Sequence, residues 1–222
     1  HPVVDGILPG RTAERDLLGE LARGLAAIGR KLIVYYNHSC NHGDDPPWEK
    51  AVGYHAPTKD RLAENICTIV QWLGETYGDL IAGWWFDSAW SLDPRGPYNG
   101  VTTDLQDFQF PWERLTVAAK AGHPDRLVTY NPGIGQSYLY TEHQDYAAGE
   151  LSDLQNPPTA RFLPNGLQWH GWTCLDDSRW FYKDNRMPPE SPRFKDEELW
   201  AFLRACHQHQ AAMTFNVIPF QD

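Results

Sequence analysis

Beside the strand signal of Ala212-Met-Thr-Phe-Asn-Val-Ile218, the runs Leu80-Ile-Ala-Gly-Trp-Trp-Phe86 and Lys31-Leu-Ile-Val-Tyr-Tyr36 are apolar without alternation. A strand of that kind must be covered on both faces. Where such strands are separated by helices, the chain forms a parallel sheet wrapped in helices. Helices do separate them. Leu17, Leu21, Leu25 and Ile28 recur at helical spacing, and Gly29 stands where a helix end takes a left-handed residue. Leu62, Ile66, Ile69, Val70, Leu73 and Tyr77 form a second stripe, closed by Gly78. A helix near 112–122 precedes the strand Leu127-Val-Thr-Tyr130, and Asp196 can cap a helix carrying Leu199, Phe202, Leu203 and Cys206. Weaker strand signals at 145–150 and 167–172 bring the count to about six.

Polar and aromatic residues gather just after each strand: Asn37 and His38, Asp87 to Trp90, Asn131, Glu150, Trp172 and Asn216. In α/β folds that is the C-terminal face, where ligands bind. The expected architecture is therefore a (β/α)8 TIM-type barrel, with residues 1–222 as a single domain. About six of the eight strands lie in this chain, and the first two βα units are missing. A six-stranded part would leave two edges and its interior open. We therefore expect an N-terminal segment or a second chain to complete the barrel. No Gly- or Ser-rich linker and no repeat divides the sequence. The irregular stretches 38–60, 91–111 and 151–166 each follow a strand and read as loops over a site.

Composition narrows the function. Nineteen basic against 29 acidic residues give a net charge of −10 without a Lys/Arg cluster, which argues against a phosphate-binding surface for DNA or RNA, so no nucleic-acid partner is expected. No apolar run approaches the roughly 20 residues of a membrane span, and no uncleaved signal peptide is visible. Aromatic residues reach 13%, with 10 Trp, 10 Tyr and 9 Phe. Rings that stack on pyranose faces, together with acids that hold hydroxyls, fit carbohydrate binding; a Trp-rich core is the plainer reading. Cys40, Cys67, Cys174 and Cys206 lack the spacing of a zinc site and read as buried thiols. Neither a GxGxxG nor a phosphate loop is present, so no nucleotide cofactor is expected. Asn37-His38-Ser39 is a glycosylation sequon with meaning only in a eukaryotic secreted protein. A secreted and a cytoplasmic location both remain open.

The sharpest chemical signal is Gly83-Trp84-Trp85-Phe86-Asp87-Ser88-Ala89-Trp90. A carboxylate at a strand end, walled by indoles, suits attack on an anomeric carbon. Retaining glycosidases pair such a nucleophile with an acid about 5 Å away. The alternative is that Asp87 merely caps the next segment.

At this point the sequence resembles the retaining α-L-fucosidases, whose nucleophile strand ends Trp-Phe-Asp-Gly. Other matches run in the same order. Arg15-Asp16-Leu17-Leu18-Gly19-Glu20-Leu21 and Gly29-Arg-Lys-Leu-Ile-Val-Tyr-Tyr36 are similar to a helix and the third strand of that family. Leu73 to Tyr77 resembles the lead-in to the nucleophile, and Arg126-Leu-Val-Thr-Tyr-Asn131 the fifth strand. Gln144-Asp-Tyr-Ala-Ala-Gly-Glu150 is similar to the segment bearing the acid/base. Trp172-Thr-Cys174 with Ser178-Arg-Trp180-Phe-Tyr182, and finally Phe215-Asn-Val-Ile-Pro219, complete the resemblance.

The resemblance implies a retaining glycoside hydrolase that cleaves terminal α-L-fucosyl residues from a carbohydrate substrate. Asp87 would be the nucleophile and Glu150 the general acid/base, holding its proton through desolvation by neighbours such as Tyr146. Glu142 is the rival acid. Trp85, Trp90 and Trp172 are stacking walls or core, and Tyr36, Asn37 and Asn131 line the pocket or pack in turns. His38 and His42 read as solvated loop histidines, Asp176 and Asp177 as a turn, and His170 as pocket material. The chemistry requires no metal. Histidines on the first two strands of the family, an Arg after its fifth-strand Asn and a Glu where Thr173 stands have no counterpart here. A fucosidase-like protein that binds glycans without cleaving them is therefore the second expectation.

Overall fold

The computed structural model describes residues 1–38, 45–93, 108–175 and 192–217. Cys40, His42, Asp176, Asp177, the segment from Ser178 to Tyr182, and Ile218 with Pro219 lie outside the described residues. The chain divides into two compact units, His1–Gly133 with Leu139–Asp145, and Ile134–Tyr138 with Tyr146–Asp222.

The first unit carries α1 (Pro2–Ile7), α2 (Leu17–Ala27), β1 (Leu32–Asn37), α3 (Pro46–Val52), α4 (Asp60–Tyr77), β2 (Ile81–Asp87), α5 (Trp112–Lys120) and β3 (Leu127–Tyr130). Local chemistry sets the helix ends. Asp16 caps α2 by accepting from the Gly19 amide at 2.9 Å. At the other end Gly29 is left-handed at φ 67°, so that the Arg30 amide reaches the Leu25 carbonyl at 2.9 Å. Asp45 caps α3 with Pro46 in the first turn. That helix falls inside the stretch 38–60, which reads as a loop from its sequence.

β1, β2 and β3 pair in parallel in that order, with Tyr36 beside Phe86 and Phe86 beside Tyr130. One sheet face carries Val34, Tyr36, Trp84, Phe86, Val128 and Tyr130 and packs with Leu62, Ile66 and Val70 of α4 and Leu115 and Ala119 of α5. Each such side chain contributes about 1.5–3 kcal/mol on full burial. Fully buried Arg126 ties this layer together. Its guanidinium donates to the carbonyls of Ile81 at 2.8 Å, Ala119 at 2.6 Å, Ala121 at 2.7 Å, Gly74 at 3.1 Å and Gly78 at 2.5 Å. Gly74 lets the helices approach, since a Cβ there would lie 2.8 Å from the Ala121 carbonyl oxygen.

The second unit carries β4 (His170–Cys174), α6 (Asp196–Gln208) and β5 (Ala212–Asn216). β4 and β5 pair in parallel, with Trp172 beside Thr214. Leu151, Trp169 and Met213 pack on one side of this sheet with Leu154, Phe202 and Cys206. Asp196, expected as a cap, is instead the first residue of α6; Lys195 precedes it without a side-chain capping bond. Asp196, Glu197 and Glu198 place three carboxylates in the first turn, where the helix dipole favours them. Cys67, Cys174 and Cys206 are buried thiols, and burial pushes the Cys67 thiol up to about 11.

The barrel is not what forms. Among the described residues there are five strands in two separate parallel sheets, of three and two strands, and no closed barrel. The sixth expected strand, 145–150, makes only isolated bridges, Tyr146 to Gln168 and Glu150 to Trp172. Between those two bridges Gly149 sits at φ 69° with no room for a Cβ beside the His170 carbonyl, and that left-handed residue breaks the extended run of the segment.

Candidate active site

Asp87 ends β2, the middle strand of its sheet, and its carboxylate is held from both sides. Tyr35 donates its hydroxyl to Oδ2 at 2.5 Å, and Asn37 reaches the same oxygen from Nδ2 at 3.5 Å. Asn131 donates from Nδ2 to Oδ1 at 2.9 Å, and the Ser88 amide reaches that oxygen at 2.7 Å. Asn37 also donates to the Tyr35 hydroxyl at 3.0 Å, so the two side chains brace one another. Strand register produces this convergence. Tyr35 lies beside Trp85 and Asn37 beside Asp87, so all four project from one face, opposite the helix-covered one.

Of the residues expected in the site, Asn37, Asn131 and Trp85 accompany Asp87. Trp85 is buried, its ring stacked on Tyr35 with centroids 5.7 Å apart. Trp90 is half-buried in the turn after β2, and its amide donates to the Asn131 carbonyl at 3.2 Å. Tyr36 is placed elsewhere. It points into the helix-side core, edge-on to Trp84 and Phe86, and burial pushes its phenol well above the ordinary range. Its neighbour Tyr35 holds the carboxylate. The signal for it was the period of two along a strand, by which Tyr35 shares a face with Asn37.

His38, expected as a solvated loop residue, is buried. Its Nε2 lies 2.9 Å from the Ser88 carbonyl oxygen and 3.2 Å from Ser91 Oγ. The chain bends sharply after Asp87, with Ser88 left-handed at φ 62°, and the imidazole fills the space beneath that bend.

In the second unit, Glu150 and Trp172 sit side by side across a parallel bridge. The Leu151 amide donates to the Trp172 carbonyl at 2.8 Å, and the Trp172 amide to the Gly149 carbonyl at 2.7 Å. The sheet face away from Phe202 carries Tyr146, Glu150, His170, Trp172 and Thr214. His170 is buried and meets the Tyr146 ring edge-on at 5.3 Å. Its Nδ1 lies 3.0 Å from the Ala147 carbonyl oxygen and its Nε2 2.9 Å from Thr214 Oγ1. Desolvation holds that imidazole below its usual pKa. Glu142 belongs to the first unit, where its side chain is 84% exposed. No three His, Cys, Asp or Glu among the described residues group as metal ligands. No helix there is long and apolar enough to cross a membrane.

No protein-family model and no curated protein matches the sequence. Solved structures do. The endo-fucoidan hydrolase MfFcnA4 of glycoside hydrolase family 107 superposes with a TM-score of 0.69 at 15% identity, over 100% of this chain and 41% of its own. The endo-fucoidan hydrolase P5AFcnA of the same family gives 0.66 at 14% identity, over 98% of this chain and 68% of its own. The α-L-fucosidase AlfC from Lactobacillus casei, in complex with its α-L-fucose product, gives 0.55 at 18% identity, over 94% and 59%. The chain thus spans less than half the length of MfFcnA4. At these identities the likeness shows the fold, that of fucose-related glycoside hydrolases.

Proposed function

We propose that this chain is a glycoside hydrolase of fucose-containing glycans that works with retention, Asp87 serving as nucleophile and Glu150 as general acid/base. The observation that carries the reading is the Asp87 carboxylate itself. It sits at the C-terminal end of a central parallel strand, with donors on both oxygens from two flanking strands and the following amide. A nucleophile needs its attacking oxygen aimed, and such anchoring fixes the carboxylate plane without a metal. The fold likeness supports the substrate class.

In the first step Asp87 forms a bond to the anomeric carbon while Glu150 gives its proton to the departing glycosidic oxygen. In the second, water attacks that carbon, Glu150 takes the proton, and the Asp87 ester bond breaks. Trp172 supplies aromatic surface for a sugar face, Trp85 backs the Tyr35 ring, and Asn37 and Asn131 hold the carboxylate in line for attack.

The test is hydrolysis of an aryl α-L-fucoside and of a fucose polymer, with the anomer of the first product followed by NMR. Retained configuration is expected, and Asp87→Asn should remove turnover while the protein stays folded. Glu150→Gln should lose far more on substrates with poor leaving groups than on activated ones. Full activity in Asp87→Asn would sink the mechanism, and equal losses on both substrate types would remove Glu150 from the acid role.

A further inference from the structure

We propose that His38 is a positioning residue for Asp87, tying the end of β1 to the Ser88 carbonyl so that the left-handed turn aims the Ser88 amide at the carboxylate. The consequence for turnover rests on the reading of Asp87 as nucleophile; the geometry does not.

Ser88 stands at φ 62°, a region an L-residue with a Cβ rarely occupies. Strain of that kind persists only where the surroundings over-determine it. Three donors do so at the Ser88 carbonyl. The Ser91 amide at 2.9 Å and Ser91 Oγ at 2.8 Å are local contacts within the turn. His38 Nε2, at 2.9 Å, comes from another strand, 50 residues away in sequence. Asn37 pairs in register with Asp87, so His38 is the first residue beyond the pair and lies beneath the turn.

The unpartnered atoms identify the tautomer. His38 Nδ1 is buried without a hydrogen-bond partner, as is Ser88 Oγ. With the proton on Nε2, the ring donates to the carbonyl and leaves only a bare lone pair at Nδ1. With the proton on Nδ1, a buried N–H would be stranded and the Nε2 lone pair would face the carbonyl oxygen. The first arrangement is the stable one. Burial also holds this imidazole below its usual pKa, against the pull of the nearby Asp87 charge. His38 is therefore a neutral donor, one that orients the turn without setting a positive charge beside the carboxylate.

The test compares His38→Ala with His38→Gln, whose amide can still donate to the carbonyl. Each variant is assayed for its melting temperature, the crystallographic φ of Ser88, and kcat and KM on an aryl α-L-fucoside. In His38→Ala we expect Ser88 to leave the left-handed region and kcat to fall by about tenfold or more, with KM within about threefold. His38→Gln should keep the turn and recover much of kcat. A left-handed Ser88 with full kcat in His38→Ala overturns the proposal. So does a folded His38→Gln that keeps the turn and still loses kcat as His38→Ala does. If His38→Ala does not fold, the turn and kcat of His38→Gln decide. If the wild-type protein cleaves no fucoside, the proposed function fails separately, and the φ of Ser88 alone decides whether His38 holds the turn.

Discussion

Asn131, one residue past the end of β3, places its Nδ2 2.9 Å from Oδ1 of Asp87 at the end of β2. The Asn131 amide at the same time donates to the Phe86 carbonyl at 2.8 Å, which locks the two strand ends together. Asn37 and Tyr35 of β1 serve the other carboxylate oxygen. The anchoring groups thus sit on adjacent strands whose ladder sets their spacing, and a site on strands keeps its geometry better than one on loops.

Tyr35 offers the cleanest check of that anchoring. Its hydroxyl lies 2.5 Å from Oδ2, while its ring is 50% exposed and contributes little to the core. A hydrogen bond to a charged group is worth about 1.5–3 kcal/mol. Tyr35→Phe should therefore lower kcat on an aryl α-L-fucoside by roughly tenfold to a hundredfold, with the melting temperature almost unchanged. Unaltered turnover in that variant would show that the Tyr35 contact does not serve the carboxylate.

Arg126 is the opposite case, with no part in the chemistry and a large part in stability. Its side chain is fully buried and satisfies carbonyls from α4, α5 and the start of β2. Arg126→Met keeps most of the volume and strands those carbonyls, each buried unsatisfied group costing about 1–3 kcal/mol. Urea unfolding should show a loss of at least about 3 kcal/mol. A loss below about 1 kcal/mol would mean that water replaces the guanidinium at little cost.

How much of this was legible differs between elements. The stripes on α2 and α4, and the apolar runs of β1, β2 and β3, stand close to the positions periodicity indicated, because those signals are local. α3, with seven residues, is too short to show a helical stripe, although Asp45 and Pro46 carry a helix-start signature. The strand expected at 145–150 does not form as one, because the left-handed Gly149 divides it into isolated bridges, and whether strands close into a barrel is set by long-range pairing that no local signal carries. In the site, Asn37, Asp87 and Asn131 were visible as polar residues at strand ends. The choice between Tyr35 and Tyr36 was not, because a strand apolar on both faces hides which parity meets the helices. His38 was invisible as a buried donor for a similar reason. Its surroundings are set by the turn after Asp87, on a different strand.

The two buried histidines also predict how stability depends on pH. His170 in the second unit and His38 in the first are both held below the ordinary value of 6.5 by desolvation. In the unfolded chain each takes up a proton near 6.5, whereas in the folded chain it resists until the pH is lower. Below 6.5 the unfolded state therefore binds more protons, and stability rises with pH across that window. Stability should be highest above pH 6.5 and fall as the pH drops toward the folded values, with a slope of at most about 1.4 kcal/mol per pH unit for each histidine. The carboxylates whose pKa is lowered, Asp5, Asp16 and Glu20, act in a separate range. Their contribution is present above their ordinary values of 3.8 and 4.5 and is lost only in more acid solution. Between about pH 5 and 6.5 the histidines dominate. Urea unfolding across that interval should show the slope in the wild-type protein. His170→Gln, which removes one titrating group and keeps an amide for the Ala147 carbonyl, should flatten it by up to half. Stability that stays level from pH 7 to about 5 would mean that both rings accept a proton in place, with Thr214 Oγ1 and the Ser88 carbonyl serving the charged forms.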